Sequence, residues 1–177
     1  MRIRTTLATL AAGAALAVAV VPAPAGAADP SGATKLDRSP TAAEWSAGTV
    51  SCLLTVTGQA KNGELLHGEP ECWIVEPGAS TAPWSTAKSG AVTTSFTSVG
   101  THYDSQTWSG SSITVQGTVC SSGWLNLSWD WINRIGSTSS PCNVGHFDGY
   151  NLTGSSQWGS FVSLTYMNNA SNSLVYS

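Results

Sequence analysis

Apolar and polar residues alternate over much of the chain once its first 27 residues are passed. Short runs rich in Val, Thr, Leu and aromatic residues are separated by turn-prone Gly, Asn and Pro residues. This pattern predicts strands at residues 49–57, 71–75, 91–98, 113–119, 124–135, 161–167 and 174–176. Outside the N-terminal segment, no stretch sustains a helical period. The sequence therefore predicts an all-β protein built from short strands.

The first 27 residues have the pattern of a secretory signal. Arg2 and Arg4 supply the positive start, residues 7–21 form an apolar run, and Ala25-Gly26-Ala27 is a small-residue cleavage site. The apolar run is short for a membrane span and is followed by prolines. We therefore expect residues 1–27 to be removed and the mature chain to be secreted into the extracellular space.

Four cysteines in an exported chain indicate two disulfides, for which three connectivities are possible. Cys52 and Cys72 lie ten residues on either side of Asn62, which begins an Asn-Gly turn, so these two cysteines should face each other across a hairpin. Cys120 and Cys142 are then left to pair with each other. Metal binding is the alternative, but the spacings contain no CxxC motif.

Charge restricts the partners of the mature chain. Removing the two signal arginines leaves 7 − 2 = 5 basic residues against 10 acidic ones, a net charge of −5. This balance argues against nucleic acid, which needs a basic face, and against anionic membrane surfaces. We expect a monomer that binds neither nucleic acid nor membranes.

A short motif occurs twice in the C-terminal half of the chain, at an offset of 44 residues. His102-Tyr103-Asp104 leads to Gly110-Ser111-Ser112, and His146-Phe147-Asp148 leads to Gly154-Ser155-Ser156. Such a period indicates a repeated supersecondary unit. The residues between each ring and its glycine are polar and turn-prone, so each copy should form a hairpin. The ring of Tyr103 or Phe147 should lie over the backbone of Gly110 or Gly154, where no Cβ blocks the approach and a positive φ is tolerated.

The spacing of an aromatic residue seven positions before a glycine resembles the hairpin signature of the βγ-crystallin Greek key. That family has a second signature: two Asn or Asp residues, two variable residues, Ser or Thr, and Ser. The second copy is followed by Asn168-Asn169-Ala170-Ser171-Asn172-Ser173, which departs from this signature at the fifth place. The first copy is followed by Ile132-Asn133-Arg134-Ile135-Gly136-Ser137, which departs at the first and fifth places.

The resemblance covers residues 97–177 and implies a fold and a function for them. The implied fold is a sandwich of two Greek-key motifs, at about residues 97–140 and 141–177. The implied function is similar to that of the Streptomyces metalloproteinase inhibitor type of secreted bacterial protein, a group related to small toxins.

The rest of the mature chain does not show the repeat. Residues 28–43 contain prolines, glycine and mixed charges and are predicted to be a flexible leader. Residues 44–96 are predicted to form an N-terminal β-hairpin extension or a small subdomain. Because about 50 residues with one disulfide make a marginal core alone, we favour packing against the repeated part as one unit.

A weak calcium site is one candidate for chemistry. The resemblance implies that Asn168, Asn169, Asn172 and Ser173 are its ligands, although Asn172 stands where the family uses a hydroxyl. Calcium takes six to eight oxygens and favours carboxylates, which these residues do not supply. A purely structural role in shaping the loops is the simpler interpretation, and it implies no cofactor at all.

Catalysis has little support in the sequence. No nucleophile elbow, His-Glu-x-x-His motif or phosphate loop occurs, and the thiols are expected to be bridged. Glu69, Glu71 and Glu76 form a carboxylate cluster that could serve a glycosidase, but a solvated strand edge is the plainer interpretation.

The sequence therefore favours a non-catalytic binding protein, with a secreted protease as its expected partner. Pro83 and Trp84, in a proline-flanked loop, are the predicted contact residues. The alternatives are a calcium-binding structural module and an antimicrobial toxin of the same fold.

Overall fold

The computed structural model describes residues 32–76, 97–118, 120, 123–128 and 130–177. The signal segment and residues 91–96 of a predicted strand lie outside these ranges. The described strands are β1 (Ala33–Lys35), β2 (Val50–Gln59), β3 (Leu65–His67), β4 (Glu71–Val75), β5 (Thr97–Tyr103), β6 (Ser112–Gly117), β7 (Gly123–Asn126), β8 (Ser137–Phe147), β9 (Ser156–Ser163) and β10 (Ser173–Tyr176). They are accompanied by the five-residue helix α1 (Ala42–Ser46) and a 3₁₀ turn at Tyr150–Leu152.

The ten described strands form a single mixed sheet in the order β1-β4-β2-β6-β5-β8-β10-β7, with β3 paired to β2 and β9 paired to β8. The β2–β6 pair is parallel and the other pairs are antiparallel. The all-β prediction is therefore confirmed.

Strands β8 and β9 each contribute to two halves of this sheet. The first part of β8, at Ser137–Ser139, pairs with β5, and its last part, at Val144–Phe147, pairs with β10. Strand β9 follows β8 along both parts, with a register shift between Ser139 and Val144. Extra residues of this kind bend a strand. The two halves of the repeated region thus share two long strands.

The N-terminal extension belongs to the same hydrophobic core as the repeats. Strand β2 continues the sheet at the free edge of β6, and buried residues of both strands lie in one cluster with residues of β8 and β10. Trp45 of α1 packs edge-to-face on Trp131, with ring centroids 5.2 Å apart. The guanidinium of Arg134 lies 4.3 Å from the centroid of the Trp45 ring. Strand β2 and helix α1 thus share a sheet and a core cluster with residues of the repeats.

The predicted flexible leader contains regular structure in its described part. Residues 33–35 form β1, which pairs with β4. Thr41 begins α1 with a capping box, in which its hydroxyl accepts from the Glu44 amide and the Glu44 carboxylate accepts from the Thr41 amide. Pairing with a distant strand is a tertiary effect that composition does not reveal.

Several strand boundaries also differ from the prediction. The apolar run at residues 124–135 is a strand only as far as Asn126, and the following turns carry Trp131 and Ile135 into the core. Strand β8 was not predicted, because its first half, Ser-Thr-Ser-Ser-Pro, has no apolar alternation. Strand β9 ends at Ser163, whereas a strand was predicted at residues 161–167.

Both disulfides join the cysteines that spacing had paired. Cys52 and Cys72 are direct register partners in β2 and β4, and Cys120 is bonded to Cys142. Two disulfides are typical of a chain that folds in an oxidising compartment. In the described part of the chain, no helix combines the length and apolar character needed to cross a membrane.

Candidate functional site

The two copies of the sequence repeat form hairpins with the same hydrogen bonds. The amide of Asp104 donates to the carbonyl of Ser111 over 3.0 Å, and the amide of Asp148 donates to the carbonyl of Ser155 over 3.2 Å. The closing glycines have almost identical backbones, with φ of 84° at Gly110 and 83° at Gly154. Such angles favour glycine, which explains its presence at both positions.

A carboxylate lies beside each closing glycine, on the side where a Cβ would project. A Cβ added at Gly110 would collide with the carboxylate of Asp104, and one added at Gly154 would collide with that of Asp148. The carboxylate of Asp148 also accepts from the Ser155 amide at 2.8 Å. The repeated aspartate therefore lies against the backbone where glycine has no Cβ. That the rings of Tyr103 and Phe147 cover these glycines stays a prediction.

The last serine of each second signature holds the hairpin of its own repeat. Ser137 donates to the carbonyl of Ser105 at 2.5 Å and accepts from the amide of Trp108 at 3.1 Å. Ser173 makes the equivalent bonds to Gly149, at 2.7 Å, and Leu152, at 3.1 Å. Both serines are fully buried. The residues that the two serines bond are 44 apart in each case, Ser105 and Gly149 for the donated bond and Trp108 and Leu152 for the accepted one. The hydrogen bonds therefore repeat with the same offset as the sequence.

The two second signatures also bond to each other reciprocally. The amide of Asn133 donates to the carbonyl of Ser171 over 3.0 Å, and the amide of Asn169 donates to the carbonyl of Ile135 over 2.9 Å. Asn133 and Asn169 occupy the second place of each signature, and both have a positive φ, 55° and 54°. Asparagine tolerates this conformation better than most residues. Each loop thus closes on the other through the same pair of atoms.

The repeated histidines lie in the core between the two halves, and each is fully buried. Their ring centroids are 5.5 Å apart. The hydroxyl of Thr138 lies between them, 2.8 Å from Nδ1 of His102 and 2.9 Å from Nε2 of His146. The hydrogen bonds extend further at both ends. His102 Nε2 lies 2.8 Å from the Tyr176 hydroxyl, and His146 Nδ1 lies 3.2 Å from the Ser171 hydroxyl.

Each of these hydrogen bonds can form with both imidazoles neutral, because each ring then has one donor and one acceptor nitrogen. Burial lowers the pKa of His102 well below its usual range, and the charge of His146 would lower it further. Burial also lowers the pKa of His146, to about 3. These hydrogen-bonded side chains therefore form a neutral structural network. Its nitrogens are occupied, and no cluster of three or more metal-binding side chains occurs in the described residues.

The predicted calcium ligands are largely engaged by the protein itself. Ser173 uses its hydroxyl in the hairpin, and the amide nitrogen of Asn172 donates to the carbonyl of Asp148. The Asn172 Oδ1 atom is buried without a partner. Asn168 and Asn169 are exposed. One free amide oxygen and two exposed amides do not fit an ion that needs six to eight oxygens.

The corresponding loop of the first repeat fits calcium less well. Its fifth residue, Gly136, has no side chain, and a Cβ there would meet Oδ1 of Asn168 and the carbonyl of Asp104, both at 3.0 Å. Arg134 lies in this loop and carries a positive charge that acts on Asp104. A fixed guanidinium disfavours a second cation at the same place.

The acidic residues considered for catalysis, Glu69, Glu71 and Glu76, are all exposed. Glu71 forms an exposed ion pair with Lys35 at 3.0 Å. Glu69 and Glu71 line an open cleft that also includes Asp130. Burial raises the pKa of Asp130, and the neighbouring Glu69 raises it further. No hydrogen bond in the described part of the chain joins these carboxylates into a paired acid and base.

The two hairpins differ in the side chains that they present. In the first, Trp108 stacks on Phe161 of β9, with ring centroids 4.2 Å apart and an interplanar angle of 2°. In the second, Leu152 occupies the place of Trp108, 44 residues later. Phe161 is 68% exposed. The sequence contains eight tryptophans, and residue type alone does not indicate which of them reach the surface.

The predicted contact residues Pro83 and Trp84 lie outside the described residues. The segment that carries them connects β4 to β5, two strands of the central sheet. Comparisons with protein-family models, with curated proteins and with solved structures found no match.

Proposed function

We propose that this chain is a secreted, non-catalytic binding protein with a βγ-crystallin-like architecture, and that its target is an extracellular metallopeptidase. The observation that carries the proposal is the matched set of hydrogen bonds in the two repeats. The two hairpins contain equivalent hydrogen bonds, and the two signature loops bond to each other through equivalent backbone atoms. A repeated unit of this kind supports the resemblance from which the inhibitor function follows.

Strand pairing also supports two interlocked Greek keys. The first repeat supplies β6, β5 and the first part of β8, and the second part of β9 is added to them. The second repeat supplies the first part of β9, the last part of β8 and β10, and β7 of the first repeat is added to these. Each half thus contains one strand from the other repeat. His102 and His146 meet between the halves, as the inner faces of a sandwich would.

The proposed inhibitor mechanism uses a loop held by a rigid frame. The segment with Pro83 and Trp84 follows β4, which the Cys52–Cys72 disulfide links to β2. It precedes β5, which is paired on both sides. Fixed ends lower the entropy that a loop loses when it binds across a protease cleft.

An inhibition assay tests the proposal. The mature chain should inhibit a thermolysin-type zinc endopeptidase at concentrations below about 10 μM and should leave a serine peptidase unaffected. Trp84→Ala should weaken inhibition by about tenfold or more, as expected for an aromatic anchor. Tyr150→Ala is the matched control, because Tyr150 is an exposed ring elsewhere on the surface. No inhibition by the unaltered chain across a panel of secreted metallopeptidases would contradict the proposal.

Calcium binding is the second candidate function. The single observation in its favour is the unpartnered Oδ1 atom of Asn172. Because the other predicted ligands are engaged or exposed, we infer that the repeats are held together by their own hydrogen bonds, without a cofactor.

A further inference from the structure

The first hairpin holds an aromatic ring in a strained position. Trp108 has a φ of 52°, which is unusual for a bulky residue. Its amide donates to Ser137, and its indole Nε1 donates to the carbonyl of Thr138 at 3.1 Å. The ring is therefore fixed at both ends, with one face against Phe161. Leu152, at the equivalent place of the second hairpin, has a φ of 59°, so the backbone angle belongs to the repeated hairpin and the ring of Trp108 is what distinguishes the first copy.

A closed set of hydroxyls lies on the same hairpin. Ser105 Oγ is 2.9 Å from Thr107 Oγ1, which is 3.0 Å from Ser109 Oγ, and Ser109 is in turn 3.3 Å from Ser105. We call these three residues the hydroxyl cluster. Hydroxyl groups act as donor or acceptor according to their partner, and linked hydroxyls polarise one another. Thr107 and Ser109 are exposed, so this cluster can exchange its internal bonds for bonds to a ligand.

Charge is sparse in the stretch of sequence that carries the stack. Between residues 105 and 177 the sequence contains three charged residues, Asp130, Arg134 and Asp148. Strand β9 and residues 105–110 have none. The carboxylate of Asp104, just before this hairpin, is half-buried and lies against the backbone of Gly110. The described residues of this surface therefore favour an uncharged ligand over nucleic acid, anionic lipid or a strongly charged peptide.

We propose that the Trp108–Phe161 stack and the hydroxyl cluster form a binding site for a neutral polysaccharide. The open face of Phe161 would stack against the C–H face of a pyranose ring, while Thr107 and Ser109 would bond to its hydroxyl groups. Aromatic rings with polar neighbours suit a ligand that is apolar on one face and hydroxylated at its rim. A stable protein interface needs about 800 Å² from each partner, which two rings and three small hydroxyls do not supply.

This site goes beyond the proposed inhibition, since its residues belong to the first hairpin and β9 and do not include Pro83 or Trp84. It would attach the secreted chain to a polymer outside the cell. Binding of peptidase and polysaccharide can therefore be measured separately.

The mature chain should be retained by an insoluble neutral polysaccharide such as cellulose, chitin or β-1,3-glucan, and soluble hexaoses of the same linkage should release it. Phe161→Ala should lower the affinity for the hexaose about tenfold, and Thr107→Val about threefold, measured by tryptophan fluorescence titration. Trp158→Ala is the control, because Trp158 is an exposed ring of β9 that packs against Phe147 and not in the stack. The affinity of Trp158→Ala for the hexaose should match that of the unaltered chain.

The following results would overturn this inference. One is that no neutral polysaccharide retains the chain. Another is that Phe161→Ala and Trp158→Ala lose equal affinity for the hexaose. A third is that peptidase binding requires the Trp108–Phe161 stack while no sugar binds. Melting curves of each variant show whether it is folded. A folded Phe161→Ala that binds sugar at full affinity would also refute the site.

Discussion

The first and second repeats have the same framework and different surfaces. Both have a buried histidine, an aspartate under a glycine with φ near 84°, and a buried serine that ties down the hairpin. They differ at the hairpin tip, where Trp108 corresponds to Leu152 and Gln106 to Tyr150, and at the fifth signature place, where Gly136 corresponds to Asn172. The shared residues make bonds within the protein, whereas Gln106 and Tyr150, which differ, are both exposed. The comparison separates what the fold needs from what a ligand could recognise.

The largest expected effect concerns the histidines, which the two repeats contribute jointly. Both have folded-state pKa values below their usual range, so the unfolded chain binds more protons as pH falls below about 6.5. Stability should be full above that pH and should fall down to about pH 3, the folded value for His146. Two such groups remove about 3–4 kcal/mol of unfolding free energy between pH 7 and pH 5.

Urea melts at several pH values measure this loss. His146→Gln should reduce the slope of stability against pH by about one proton, even though the variant is less stable overall. His67→Gln is the control, because His67 is an exposed histidine outside the buried network. A flat profile between pH 7 and pH 5 would contradict the buried neutral pair.

The two hairpin serines provide the next test. Ser137→Ala and Ser173→Ala each remove one donated and one accepted hydrogen bond from a fully buried hydroxyl. Each should cost about 2 kcal/mol in chemical denaturation, and the two costs should agree within about 1 kcal/mol. Ser177→Ala, at the exposed C-terminus, is the control. A large loss in one repeat with none in the other would show that the repeats are not built alike.

The closing glycines should give a smaller, matched effect. Gly110→Ala and Gly154→Ala force a Cβ into a left-handed conformation and against the aspartate carboxylate. We expect each to lose about 1–2 kcal/mol. Gly68→Ala is the control, because a Cβ there meets no atom within 4 Å. Unchanged stability in either hairpin variant would remove the proposed reason for glycine at that position.

Calcium should have the smallest effect. Because Ser173 and Asn172 are engaged in protein hydrogen bonds and Arg134 lies in the other loop, millimolar calcium should leave the melting temperature unchanged within about 1 °C. Differential scanning fluorimetry with magnesium as the control measures the shift. A calcium-specific rise of several degrees would restore the metal-binding alternative.

The sequence predicted the features that depend on local chemistry or on repetition. The strand at residues 71–75, both disulfides and the two hairpins could be recognised because turn residues, cysteine spacing and the 44-residue offset are visible in one dimension. Strand β8 could not, since Ser137–Ser139 become a strand through pairing with β5 and β9. The role of aspartate over glycine was also missed, because it depends on a backbone angle that sequence does not state.

The candidate site was predicted less completely than the fold. The pattern identified His102 and His146 as repeated residues, but their meeting in the core is a tertiary fact. Trp108 and Phe161 are 53 residues apart, and nothing in their spacing indicates that they stack. Exposure and ring geometry determine this site, and neither follows from residue type.

Amide hydrogen exchange at Asn133 and Asn169 tests the central claim most directly. These two amides join the repeats through equivalent bonds, at 3.0 Å and 2.9 Å. Both should be protected, with opening free energies that agree within about 1 kcal/mol and disappear together as denaturant is added. Exchange of either amide at the rate of an unfolded chain, while the other remains protected, would contradict two equivalent interlocked repeats.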